Sequence, residues 1–138
     1  MPLQPLLHDL LAVMMAPTQA WSAPDGQIRP IGAQGVYHAD LRIMSEAILT
    51  VDGAEPETVA SGQVTPGVAE IVALPRRSDD PGADPTLRLV RTRRVAPGAV
   101  SESIRVESAT RAPVDLALAV RVASDLADVR IVKGGGTG

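Results

Sequence analysis

From residue 35 onward apolar and polar positions alternate in short runs separated by turn dipeptides, the period-2 pattern of strands buried on one face. Over residues 41–51, Leu41, Ile43, Ala47, Leu49 and Val51 share one parity, with Arg42, Glu46 and Thr50 on the other, and the run ends at Asp52-Gly53, a hairpin-type turn. Residues 68–74 form an apolar strand stopped by Pro75, and 76–85 (RRSDDPGADP) predicts a loop. In 86–95, Leu87, Leu89 and Val95 share a parity but Val90 takes the other, which predicts either a bulge or a strand half-buried on both faces. Pro97-Gly98 then turns the chain into 100–108, where Glu102 falls on the same face as Val100, Ile104 and Val106. The most regular alternation is 114–124: Val114, Leu116, Leu118, Val120 and Val122 against Asp115, Ala117, Ala119 and Arg121, the small alanines predicting a second face that is partly covered too.

The beginning of the chain fits two periods. Leu3, Leu6, Leu7, Leu10, Leu11 and Met14 match a helical face, whereas Leu7, Leu11, Val13 and Met15 match a strand. Pro17, Trp21 and the Asp25-Gly26 turn favour a meander of short strands. Together the patterns predict an all-β fold, an antiparallel β-sandwich over residues 1–133, followed at 134–138 (GGGTG) by a Gly-rich linker or the end of an expressed fragment. The apolar stretch 3–15 lacks a basic leader and carries His8 and Asp9, which argues against a secretory signal. It is also shorter than the roughly 20 residues of a membrane span, so the expectation is a cytoplasmic protein with no membrane partner.

Composition narrows the chemistry. A chain of 138 residues is one domain, and its 45% apolar content, nearly all aliphatic, must build a core of small side chains. One Trp, one Tyr and no Phe argue against base-stacking modules, and a net charge of −3 gives no footprint for phosphates, so nucleic acid is not an expected partner. Without Cys there are no disulfides, thiolate metal sites or thiol nucleophiles, and two His are too few for a histidine-rich site. No metal and no cofactor are expected.

Among the acids, Asp40, Glu46, Glu70 and Glu102 are candidates for a glycosidase-type pair, although most carboxylates in a domain of this size are simply solvated. Glu102, inward by parity, is expected to pair with one of Arg88, Arg91, Arg93 or Arg94, because an unpaired buried charge is too costly to persist. Those alternating arginines themselves read as an exposed strand face, or more sharply as an ionic docking surface. No G-x-S-x-G elbow exists, and GGGTG lacks the Lys-Ser or Lys-Thr of a phosphate loop. Residues 32–40 (GAQGVYHAD) bring Tyr37, His38 and Asp40 behind two glycines, a pattern that fits a sugar subsite but fits better a tight turn with Tyr37 capping the core.

Residues 35–45 (GVYHADLRIMS) and 49–53 (LTVDG) resemble the opening of the N-terminal domain of bacterial glycogen-debranching-type enzymes, the amylo-α-1,6-glucosidase group. Gly35, Tyr37, Asp40, Arg42 and Ser45 match that group's stretch, while Leu41, Ile43 and Met44 stand where Thr, an aromatic and Leu are usual. The likeness resumes at 87–95 (LRLVRTRRV), 102–106 (ESIRV) and 124–134 (SDLADVRIVKG), with Leu126 in place of Phe, collinear from about residue 7 to residue 134. The resemblance implies a sandwich preceding a helical α/α-barrel in which the catalytic acids reside, none of them matched here. It therefore implies a non-catalytic domain that braces the C-terminal catalytic barrel of the same protein and shapes one wall of a cleft for α-glucan. Tyr37, His38, Asp40 and Arg42, on the loop entering a strand, are the candidate binding or interface residues. The competing readings are a free-standing carbohydrate-binding or scaffold sandwich, for which two rings are few, and a small enzyme built on Glu102, which would need a raised carboxyl pKa. A domain apart from its barrel should also expose an apolar patch.

Overall fold

Two antiparallel layers face each other across a core of small aliphatic side chains in the computed structural model, which describes residues 9–76 and 84–133. Strands β1 (Leu11–Met15), β2 (Thr18–Ser22), β3 (Gly35–His38) and β4 (Leu41–Met44) are neighbours in chain order, and β5 (Glu46–Val51) pairs with β10 (Leu118–Ala123). The second layer is a meander of β6 (Glu57–Thr65), β7 (Val68–Leu74), β8 (Leu87–Ala96) and β9 (Ala99–Ser108). A single helical turn, α1 (Val129–Lys133), closes the described chain.

The predicted 41–51 strand is real but bent at Ser45, and the bend corrects its facing. Ala47, Leu49 and Val51 are buried as expected, whereas Leu41 and Ile43 are exposed and Arg42 is buried. The partner chain follows the bend: Ser45 N–H donates to the Ala123 carbonyl, Arg42 N–H to that of Ala127, and Val129 N–H to that of Asp40. Thus β4 and β5 act as one long strand, with β10 and residues 124–129 running beside it. At its end Asp52 and Gly53 take φ of 52° and 82°, the two left-handed residues that a tight hairpin demands.

The first layer contributes Val13, Ala20, Ile28, Val36 and Ala47 to the core, where Ala69 and Val95 of the second layer meet them. Leu49, Val51 and Leu89 form a second cluster, joined by Ile104 and Leu116. The meander at the beginning is borne out by β1 and β2; Leu3, Leu6 and Leu7 lie outside the described residues, as do 134–138 and most of the predicted 76–85 loop. In β8 the two-faced reading holds without a bulge, since its pairing with both neighbours runs unbroken and Val90 is buried beside Leu89.

Two expectations fail, and one strand is not foreseen. Arg91 and Arg93 do not lie on an exposed face but in the core, while Arg88 and Arg94 face solvent. The 114–124 run is a strand only over β10, and neither face of it is covered. Strand β6 has no counterpart in the reading because its pattern is polar and its residues are largely exposed, leaving no hydrophobic period to detect. Among the described residues no helix is long and apolar enough to cross a membrane.

Candidate functional site on the outer face of the first layer

Alternation along β2 and β3 sends Ala20 and Val36 into the core and turns Gln19, Trp21 and Tyr37 outward. Gln19 stands directly opposite Tyr37, and Tyr37 opposite Arg42, so three adjacent strands place these side chains in one row. Trp21 stands opposite Gly35, whose φ is 153° and where a Cβ would come within 2.5 Å of Arg42 Cδ and 2.8 Å of the Met44 carbonyl. Glycine is required there because the Arg42 side chain lies across it.

Arg42 is 3% exposed, and its guanidinium forks onto the Asp125 carboxylate through Nε and Nη2 while Nη1 donates to the carbonyls of Gln34 and Gly32 at 3.3 and 3.4 Å. The hydrogen bond to Asp125 holds the guanidinium pKa above its ordinary value and the Asp125 carboxyl below its own. This pair fastens the segment after β10 against the first layer. Beyond it Asp128 caps α1, its carboxylate accepting from Arg130 N–H at 2.8 Å, and Ala127 and Val132 pack on Tyr37 with Trp21 beside them.

The result is a cavity of about 320 Å³ between the outer sheet face and α1, lined by Gln19, Trp21, Ala33, Tyr37, Ala39, Asp40, Val129 and Val132. Both aromatic rings of the protein border it. Tyr37 is buried, its hydroxyl donates to the Ala33 carbonyl at 2.8 Å, and burial raises its pKa against the opposing charge of Arg42. The indole N–H of Trp21 donates to Gln19 Oε1 at 2.9 Å. The half-buried Trp21 and the buried Tyr37 thus stand beside the exposed Asp40 carboxylate and the Gln19 amide.

Of the four candidate residues, Tyr37 and Asp40 line this cavity, and Arg42 lies beside Tyr37 as the tie to Asp125. His38 is not part of it: alternation turns it to the opposite side of β3, where Nδ1 meets Thr18 Oγ1 at 3.0 Å. Sequence reasoning did not assign Trp21, Gln19 or Asp125 to the site, although the outward parity of Trp21 on a strand next to Tyr37 was a usable signal.

The candidate acids sit on four separate segments: Asp40 at the cavity, Glu46 on β5 against Arg121, Glu70 on β7 and Glu102 on β9. Glu102 does meet its predicted partners, and two rather than one: Arg91 Nε at 2.9 Å and Arg93 Nε at 2.5 Å. Burial pushes its carboxyl pKa up, but the charges of Arg93 and Arg91 prevail and hold it below the ordinary value. A general acid needs the opposite shift. Arg91 continues the network to Gln27 Oε1 at 2.9 Å, and Gln27 pairs both backbone groups of Leu49, so the cluster clamps the two layers together.

No curated protein and no solved structure matches the chain. A family model does, over residues 13–138, and it spans the β-sandwich, the Arg42–Asp125 tie and α1. By that match the chain belongs to the family described as the N-terminal domain of (some) glycogen debranching enzymes.

Proposed function

We propose that this domain is the non-catalytic N-terminal part of a cytoplasmic glycogen-debranching-like glycoside hydrolase, bracing a C-terminal catalytic α/α-barrel and forming one wall of its α-glucan cleft. The observation that carries the reading is the cavity under α1, where Trp21 and Tyr37 converge with Gln19 and Asp40. In a chain so poor in rings, convergence of both on one concavity with polar groups at its rim suits a sugar better than it suits packing alone. Within this reading Asp40 and Gln19 take hydroxyls, the half-buried Trp21 takes the apolar sugar face with Tyr37 packed behind the cavity, and Arg42 with Asp125 positions the wall.

Electrophoresis of the chain through native gels with and without glycogen, paired with a reducing-end assay, tests both halves. The expected outcome is retardation by glycogen that is lost in Trp21→Ala, with no release of reducing ends. Unretarded migration would overturn the cleft-wall role, and glucan cleavage that tracks the purified chain would overturn the non-catalytic one.

A further inference from the structure

The mouth of the sandwich between β9 and β10 is unfinished. Leu118, Val120 and Val122 stand opposite the buried Val51, Leu49 and Ala47 of β5 and so turn toward the second layer, yet they are 42%, 44% and 58% exposed. Beneath Val120 and Val122 lies a second cavity of about 260 Å³, lined also by Val100 and Ile104 of β9 and by Arg93 and Glu102. Strand β10 pairs only with β5 among the named strands, leaving its other edge unpaired. Edge strands are ordinarily blunted by Pro, Lys or an unpaired charge. Over Leu118–Ala123 there is no Pro and no Lys, and the one charge, Arg121, is matched by Glu46 of the neighbouring strand. The edge strand β1 differs, because Val13 on its inner face is fully buried.

We propose that this edge takes a second copy of the same chain, the two β10 strands pairing antiparallel about Val120. The strand is complementary to itself in that register. Leu118 of one copy faces Val122 of the other, Val120 faces Val120, and Arg121 faces Ala119, so apolar meets apolar and like charges do not oppose. Directly paired residues share a face, so the two apolar rows join and the two unfinished mouths close on each other. A register shifted by one residue would set Val120 against Arg121, which the alternation forbids. The interface is isologous, as a closed two-fold dimer requires. It lies on β10, apart from the Trp21–Tyr37 cavity, so it stands or falls independently of the proposed function.

The chain contains no cysteine, so one introduced thiol reports the pairing without background. Val120→Cys, oxidised mildly in the folded protein, should give a disulfide-linked dimer, because residues paired across the two-fold axis come within disulfide reach. Val64→Cys on β6 and Ile43→Cys on β4, at positions 59% and 42% exposed, should remain monomeric. In parallel, sedimentation of the unaltered chain should show a dimer that Val120→Lys converts to the 14.4 kDa monomer with unchanged circular dichroism. A monomer at several hundred micromolar would overturn the proposal. So would equal cross-linking of all three cysteine variants, which would reduce the contact to unspecific apolar association. Should Val120→Lys fail to fold, the cysteine comparison still decides.

Discussion

Glu102 shows how a single residue type on the wrong parity carries structural information. A carboxylate among Val100, Ile104 and Val106 is tolerable only with a cation at hand, and pairing in the sheet sets it directly opposite Arg93. The sequence made that partnership legible, but not its consequence, that Arg91 and Arg93 follow Glu102 inward. Burial lowers the Arg93 pKa, opposed by the Glu102 charge, which marks the pair as dependent on each other. Glu102→Gln should therefore cost about 3 kcal/mol in urea unfolding, since it strands two guanidinium groups in the core; a loss under about 0.5 kcal/mol would show that the arginines are already solvated. The carboxyls of Glu102 and Asp125 are both held below their ordinary values, so folding is favoured where they are ionised. Their contribution is complete above the unfolded pKa values of about 3.9 to 4.3 and is lost as pH falls through the folded ones. Unfolding free energy should be level from about pH 5 to 7 and decline below about pH 4, the decline being shallower in Asp125→Asn.

At the scale of elements, strands with a local apolar signal are readable and those whose burial depends on a distant partner are not. Residues 68–74 and 100–108 announced themselves; β6 did not, because a largely exposed edge strand needs no apolar period. The bend at Ser45 escaped notice because parity alone cannot show that Arg42 is wanted inside by Asp125, a partner 83 residues away. The same distance hid α1, a one-turn helix held by its cap and by packing on Tyr37 rather than by propensity. If the Arg42–Asp125 fork is what fastens this segment, Asp125→Asn should raise amide exchange across 125–133 by an order of magnitude or more while exchange in β7 and β8 stays as it was. Uniformly faster exchange would mean that the fork supports the whole sandwich instead.

At the scale of the molecule, one layer of small aliphatics, one internal ionic clamp and one tethered C-terminal segment produce a sandwich with two dissimilar surfaces. The outer face of the first layer carries the ring-bordered cavity, and the β10 edge carries the exposed Val120 and Val122. Half of the candidate site was legible because Tyr37 and Asp40 are close in sequence; Trp21 and α1 join them only through the fold. The proposed role requires that this cavity accept sugar. Trp21 is the sole indole, so its emission reports the site directly during titration with linear α-1,4-linked maltooligosaccharides. A saturable change in intensity or wavelength, weakened about tenfold or more in Asp40→Ala through loss of a charged hydrogen bond, is the predicted result. Emission that stays constant up to millimolar oligosaccharide, in a chain whose circular dichroism shows it folded, would contradict the account.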